Sequence, residues 1–155
     1  MRKFVPIAVL LSLAIVSCDP SKVFEQNIRI PESGWNKDSL IQIEALISDT
    51  VSPHNVYINV RNTGEYGYQF LYLFLTTVMP EGKFSVDTLA CRLANEDGKW
   101  LGSGIGDIYD NQILLMKNVR FNSSGKYIFE FQQGMRHDVL KDIIDVGIRI
   151  EKSEK

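Results

Sequence analysis

Period-two alternation of apolar and polar side chains constrains this chain more than any other feature. In "NVYINVRN", Val56, Ile58 and Val60 fall on one side and Tyr57, Asn59 and Arg61 on the other. In "IIDVGIRIEK", Ile144, Val146, Ile148 and Ile150 oppose Asp145, Gly147, Arg149 and Glu151. "SLIQIEALIS" groups Ile41, Ile43, Ala45 and Ile47. Successive strand side chains point to opposite faces, so each run reads as a strand with one face buried. "FLYLFLTTVM" is apolar at both sets of positions, which predicts a central strand covered on each side. Further strands are predicted at Val23–Ile30, Phe84–Ala94, Ile113–Phe121 and Lys126–Gln132.

Turn residues separate these runs: Pro31 to Gly34, Ser52-Pro53, Asn62 to Gly67, Pro80 to Gly82, Asp97-Gly98 and Ser123 to Gly125. Only "QGMRHDVLKDI" has helical spacing, over about two turns. The fold class that follows is all-β: an antiparallel β-sandwich of roughly eight strands with one short helix. Jelly-roll and immunoglobulin-like strand orders both satisfy the pattern.

The N-terminal segment obeys different rules. Met1, Arg2 and Lys3 form a positive head, and Phe4 to Val16 is apolar except at Pro6 and Ser12. That run is shorter than the roughly 20 residues of a membrane span and matches a signal-peptide core. Ile15-Val16-Ser17-Cys18 fits a lipobox, where a small residue precedes the cysteine that receives diacylglycerol on sulfur. Each buried methylene of the added chains contributes about 0.8 kcal/mol, so two or three chains anchor stably. Residues 1–17 thus read as a lipoprotein leader, residues 18–22 as the lipidated cysteine and a short tether, and residues 23–155 as a single domain. With Cys18 lipidated, Cys91 has no intramolecular partner; it alternates with Leu89 and Leu93 and reads as core.

The chain has 17 Lys and Arg, two of them in the leader, against 19 Asp and Glu. An acidic balance without a basic cluster argues against nucleic acid as a partner. His54 and His137 stand alone, without the second ligand a metal site needs. There is no Gly-x-Ser-x-Gly elbow. Asp107 and Asp110 resemble a glycosidase pair only as far as any two acids in such a chain do. No catalytic set assembles, so the chain reads as a non-enzyme without cofactor or metal. In "DGKWLGSGIGDIYDN", Gly102, Gly104 and Gly106 are not followed by a helical pattern, which argues for bulges or close backbone approach rather than a phosphate cradle. Trp100 is either a lid on the sandwich or a partner anchor; Arg136 is a local ion pair or a contact residue.

"VRNTGEYGYQFLYLF", "DTLACRLANEDGKWLGSGIGDI", "FNSSGKYIFEFQQGMR" and "DVGIRIEK" occur in the order found in the GldH gliding-motility lipoproteins of the Bacteroidetes, a family the chain resembles from about Val23 to Lys152. Trp100-Leu101-Gly102 and Met135-Arg136 are the most specific parts, and Phe70 departs from an asparagine expected there. The resemblance implies an envelope lipoprotein needed for gliding and linked to the associated secretion system, with envelope proteins as partners and no catalytic residues. Trp100, Arg61, Met135 and Arg136 are then the candidate partner contacts. The resemblance also gives meaning to Asp-(Ser/Thr)-apolar tripeptides, O-glycosylation acceptors in that phylum, which mark Ser39, Thr50 and Thr88. "CDPSKVFEQ" lacks the acidic run of many surface-exported lipoproteins. The expected location is therefore the outer membrane with the domain in the periplasm, surface exposure remaining open. A glycan-binding lipoprotein is the alternative; exposed Trp35 or Trp100 would favour it, and burial would count against it.

Overall fold

A computed structural model describes residues 19–153; the leader and Cys18 lie outside the described residues. The strands are Lys22–Arg29 (β1), Trp35–Asn36 (β2), Ile41–Ile47 (β3), His54–Thr63 (β4), Phe70–Val78 (β5), Phe84–Arg92 (β6), Ile108–Val119 (β7), Gly125–Gln133 (β8), Val139–Leu140 (β9) and Ile143–Lys152 (β10). One sheet runs β1-β10-β4-β7 and the other β3-β8-β5-β6, every pairing antiparallel. With the two-residue strands set aside, these are the first, eighth, third and sixth strands against the second, seventh, fourth and fifth. That is the jelly-roll order, which decides between the two topologies left open by the alternation.

The inner faces are the ones the alternation marks. Val56, Ile58 and Val60 of β4 and Val146, Ile148 and Ile150 of β10 are buried in one sheet. Ile43, Ala45 and Ile47 of β3, Leu71, Leu73 and Leu75 of β5, and Phe129 and Phe131 of β8 face them from the other. Each fully buried large aliphatic or aromatic side chain stabilises the fold by roughly 1.5–3 kcal/mol relative to exposure. Cys91 sits among them, and burial pushes its thiol up to about 12, so it behaves as an apolar filler.

Chain direction alternates through the jelly roll, and this separates two ends. The short turns at residues 48–53, 79–83 and 120–124 share one end with Asp19 and Ser153. The longer connections at residues 30–40, 64–69, 93–107 and 134–142 share the other. There β2 pairs with β9, Trp35 opposite Leu140, and closes the core; the buried Trp35 indole donates to the Ser39 carbonyl at 2.9 Å.

Four expectations need correction. "QGMRHDVLKDI" forms no helix. The Gly134 amide donates to the Tyr72 carbonyl, the Met135 amide to the Gln133 side-chain oxygen, and Gln133 Nε2 to the His137 carbonyl. The His137 carbonyl that a helix would pair accepts from Gln133, Asp138 to Leu140 bond β2 and Lys37 instead, and Asp142 adopts φ 68°. Second, β5 is central but open on one face. Tyr72 is 44 % and Phe74 42 % exposed, because these rings lean along their own sheet, Phe70 stacking on Tyr72 at 6.1 Å. Third, a register shift in β10 between Ile143 and Asp145 buries Ile143 where strict alternation selected Ile144. β7 also begins at Ile108 rather than Ile113, held there by Asn111, whose Nδ2 donates to Asn62 Oδ1 at 2.9 Å in the interior.

Candidate functional site

Arg61 stands on the outer face of β4, and in its row the cross-strand partner on either side is an aspartate: Asp110 on β7 and Asp145 on β10. Opposite charges placed directly across strands attract one another. Arg61 Nε donates to Asp110 Oδ1 at 2.5 Å, and its NH1 lies 3.2 Å from Asp145 Oδ2. The Asp110 bond holds the guanidinium more firmly protonated than usual. Burial raises the Asp145 carboxyl above its ordinary range, and the Arg61 charge only partly offsets this.

The same face continues as a polar network. Asn59 Nδ2 donates to Glu25 Oε1 at 3.0 Å and to Asn27 Oδ1 at 3.1 Å. Arg149 binds Glu25 at 2.9 Å and also pairs with Asp19 and Glu151. Between Asp145 and Arg149, position 147 must be glycine, since a Cβ there would run into the Asn27 side chain and the Gln26 carbonyl. Glu25, Asn27, Asn59, Arg61, Asp110 and Asp145 line a hollow of about 220 Å³.

Trp100 lies at the end that carries the long loops. Its strand-like bridge to Ala94 turns the β6–β7 connection back on itself, with the Leu101 amide donating to the Leu93 carbonyl. The half-buried indole packs 5.5 Å from Tyr109 and 6.4 Å from Tyr66 (ring centroids). This is the lid arrangement, and it leaves Leu101 and Ile105, 56 % and 95 % exposed, as the outward apolar groups of the loop. Its glycines are explained by close approach: a Cβ on Gly104 would meet the Ile108 carbonyl, and one on Gly102 would lie 2.8 Å from the Asp110 carbonyl.

Met135 and Arg136 occupy the β8–β9 connection. The Met135 sulfur accepts from the Tyr72 amide at 3.4 Å, and Arg136 is exposed. The next residue, His137, bonds the Tyr68 hydroxyl. Rings then pass contact along the end of the sandwich: His137 to Tyr68, Tyr68 to Tyr66 at 5.6 Å, Tyr66 to Trp100, and Trp100 to Tyr109. Tyr109 precedes Asp110, the partner of Arg61. The four candidates therefore lie at one end, linked in part through the buried Tyr66, with Arg61 facing the polar side and Met135 the β5 side. The sequence pattern did not single out Ile105, Tyr68 or the Asp145 partner; for Asp145 the signal was present as a polar outer position of β10.

The tripeptide acceptors are scattered. Ser39 is exposed in the β2–β3 turn, and Thr88 is exposed on β6 opposite Phe74. Thr50 is half-buried beside Asp49, whose carboxylate accepts from the Val51 and Ser52 amides. His54 is fully buried against Phe121, with no hydrogen-bond partner among the described residues.

The chain is thus a jelly-roll domain with a polar-network face and a loop end of linked aromatic residues. Comparison with known proteins gives this class a family. The sequence pattern of the GldH lipoproteins matches residues 22–150, and the chain belongs to that family. It is 39 % identical over 145 residues to the "Gliding motility lipoprotein GldH homolog" of Christiangramia forsetii, covering 89 % of this chain and 88 % of that one. It is 31 % identical over 155 residues to the "Gliding motility lipoprotein GldH" of Flavobacterium johnsoniae, covering 96 % of each.

Proposed function

We propose that the protein is a non-enzymatic part of the cell envelope, accessory to the gliding machinery and to the secretion system that serves it. In this reading residues 1–17 are removed, Cys18 carries the acyl chains, and the domain faces the periplasm from the outer membrane. The observation that carries the reading is the separation of the two ends. Asp19, next to the lipid-bearing residue, lies at the short-turn end. Arg61, Trp100, Met135 and Arg136 gather at the other, where an envelope partner approaches without meeting the bilayer.

A photo-crosslinking residue at Ile105, 95 % exposed, tests this in the native host. The expected result is capture of identified gliding or secretion components, reduced in Arg61→Gln and lost in a folded Cys18→Ala variant. Efficient capture of the same components from Val51, 80 % exposed at the opposite end, with none from Ile105, overturns the orientation.

The polar hollow beside Arg61 favours glycan binding as a second reading, because Asn27, Asn59 and Gln112 line it. Trp35, 1 % exposed, and the packed Trp100 speak against it, since neither ring is open for stacking on a sugar. Retention on a polysaccharide column that Asn59→Ala abolishes would restore it. O-glycosylation belongs to the same proposal at Ser39 and Thr88, with Thr50 the least accessible of the three. An intact mass equal to that of the bare lipidated chain removes it.

A further inference from the structure

Besides the loop end, the sandwich has a second opening. β6 and β7 are the terminal strands of their sheets on the same side, and between them lies a cleft of about 330 Å³. That size and its largely apolar walls fall within the range of small-molecule sites, roughly 300–1,000 Å³. Leu89 forms one wall, above the buried Leu75 and Phe129, and Leu115 and Met116 the other. Two consecutive β7 residues reach the same cleft because the register against β4 shifts there, Met116 lying opposite Val56 and Leu114 opposite Tyr57. A bulge of this kind re-aims a side chain. Met116 and Met79 add unbranched, adaptable lining.

The mouth carries the polar groups. Asp87 stands on the β6 lip and Arg120 on the β7–β8 lip. Arg120 Nε donates to the Val51 carbonyl at 3.0 Å, while its terminal amino groups and the Asp87 carboxylate have no partner among the described residues. The mouth also lies at the end that carries Asp19, the residue after Cys18 in the sequence. One row crosses the sheet from β1 to β7: the Lys152 amide donates to the Ser21 carbonyl, Lys152 pairs with His54, and His54 with Val119. At about 4.8 Å per strand spacing, that row places the lip some 14 Å from the chain's entry point.

We propose that the cleft takes one acyl chain of a zwitterionic membrane phospholipid, its phosphate directed to Arg120 and its amine to Asp87. The apolar walls select an aliphatic chain, and the two lip charges of opposite sign select a headgroup that carries both. The position at the anchored end lets the chain enter from the bilayer surface. This site is separate from the loop-end docking surface and does not depend on it.

A leaderless chain carrying Cys18→Ser has no lipid of its own and keeps every strand and the core, which lie within residues 22–152. Titration with 1-palmitoyl-lysophosphatidylethanolamine below its micellar concentration, read by native mass spectrometry, should give one saturable adduct per chain. Leu89→Trp and Leu115→Trp fill the cleft from opposite walls, and each should weaken the adduct roughly tenfold or more while the thermal transition is kept. Having one variant on each wall keeps the test alive if one fails to fold. Arg120→Gln should weaken the phospholipid by about tenfold and leave palmitoylglycerol unchanged, as loss of a charge-assisted bond to phosphate requires. Absence of a saturable adduct, or an undiminished one in a folded cleft-filling variant, overturns the site. Equal binding of palmitoylglycerol and the phospholipid, both insensitive to Arg120→Gln, overturns the headgroup assignment. Either failure leaves crosslinking from Ile105 untouched, since that reads from the opposite end.

Discussion

Outward from a shared core, the sheet β1-β10-β4-β7 presents two ion-pair groups, Arg61 with Asp110 and Asp145 and Arg149 with Glu25, whereas the sheet β3-β8-β5-β6 presents Tyr72, Phe74, Phe84 and Val86 to solvent. The first face satisfies its polar groups internally, which ties β1 and β7 to the strands between them and sets the rows rigidly. The second face adds to its backbone ladder only exposed cross-strand pairs, Lys126 with Glu44 and Gln42 with Glu130, so its apolar side chains remain available to whatever covers them. One jelly roll thus combines a face committed to structure with a face left uncommitted. If this contrast is correct, equivalent changes on the two faces should have unequal costs.

The largest difference is expected at two glycines. Gly147→Ala puts a Cβ against the Gln26 carbonyl and the Asn27 side chain, so β1 must move off β10. A loss of about 3 kcal/mol in urea denaturation is expected, with early amide exchange confined to β1. A Cβ on Gly134, on the other sheet's side, lies 3.2 Å from Cε2 of the Phe74 ring, which can turn away. Gly134→Ala should cost less than about 1 kcal/mol. Equal costs would break the contrast.

Next is Arg149→Met. The Arg149 side chain is 13 % exposed among Asp19, Glu25 and Glu151, and its removal leaves three carboxylates facing one another. A loss of about 2 kcal/mol is expected, already discounted because Asp19 is 40 % exposed. Repulsion among the carboxylates is screened by salt, so the loss should shrink at high ionic strength.

Asp145→Asn sharpens the comparison through pH. Burial raises the Asp145 pKa in the folded protein above the ordinary value of 3.8. Between 3.8 and that raised value the folded state binds more protons than the unfolded, so this group's contribution is complete below 3.8 and is lost as pH rises through the window. The Asn variant lacks this slope and should gain on the parent as pH increases from acid toward neutral, with a smaller overall effect than Arg149→Met. Hydrogen bonds from Ser52 and Ser21 lower the Asp49 and Asp19 carboxyls, whose contributions fade below 3.8, outside this window. Chemical denaturation at stepped pH reads the difference.

These residues also show how much was legible beforehand. Val56, Ile58, Val146 and Ile148 announce the buried faces, because a period of two has only one way to place them. Arg61 was legible as an outer position and a contact candidate. Asp110 and Asp145 as its partners were not, because register across strands distant in sequence leaves no local mark. The "FLYLFLTTVM" strand misled for a physical reason: apolar residues on both faces signal burial only if a second layer exists, and here Tyr72 and Phe74 remain partly open. The helical spacing in "QGMRHDVLKDI" was overridden by the non-local pairing of Val139 and Leu140 with β2. The cleft between β6 and β7 depends on a bulge and on which strands end their sheets, neither of which periodicity encodes.

The smallest expected effect lies on the open sheet. Lys126 Nζ sits 3.2 Å from Glu44 Oε1 across β8 and β3, a pair of the same type as those around Arg149 but with side chains 56 % and 54 % exposed. In that setting water screens both charges, and ordering two long side chains offsets most of the attraction. Lys126→Ala should therefore cost less than about 0.5 kcal/mol, with little salt dependence, because Glu44 returns to solvent without penalty. A loss above about 1 kcal/mol in the isolated chain would mean the pair is shielded from water, hence that something covers this face even without a partner. The same substitution measured in the native envelope then separates the two states of the surface. A pair worth little in the isolated chain and more in the cell marks the open sheet as covered there, while the Arg149 network should cost the same in both.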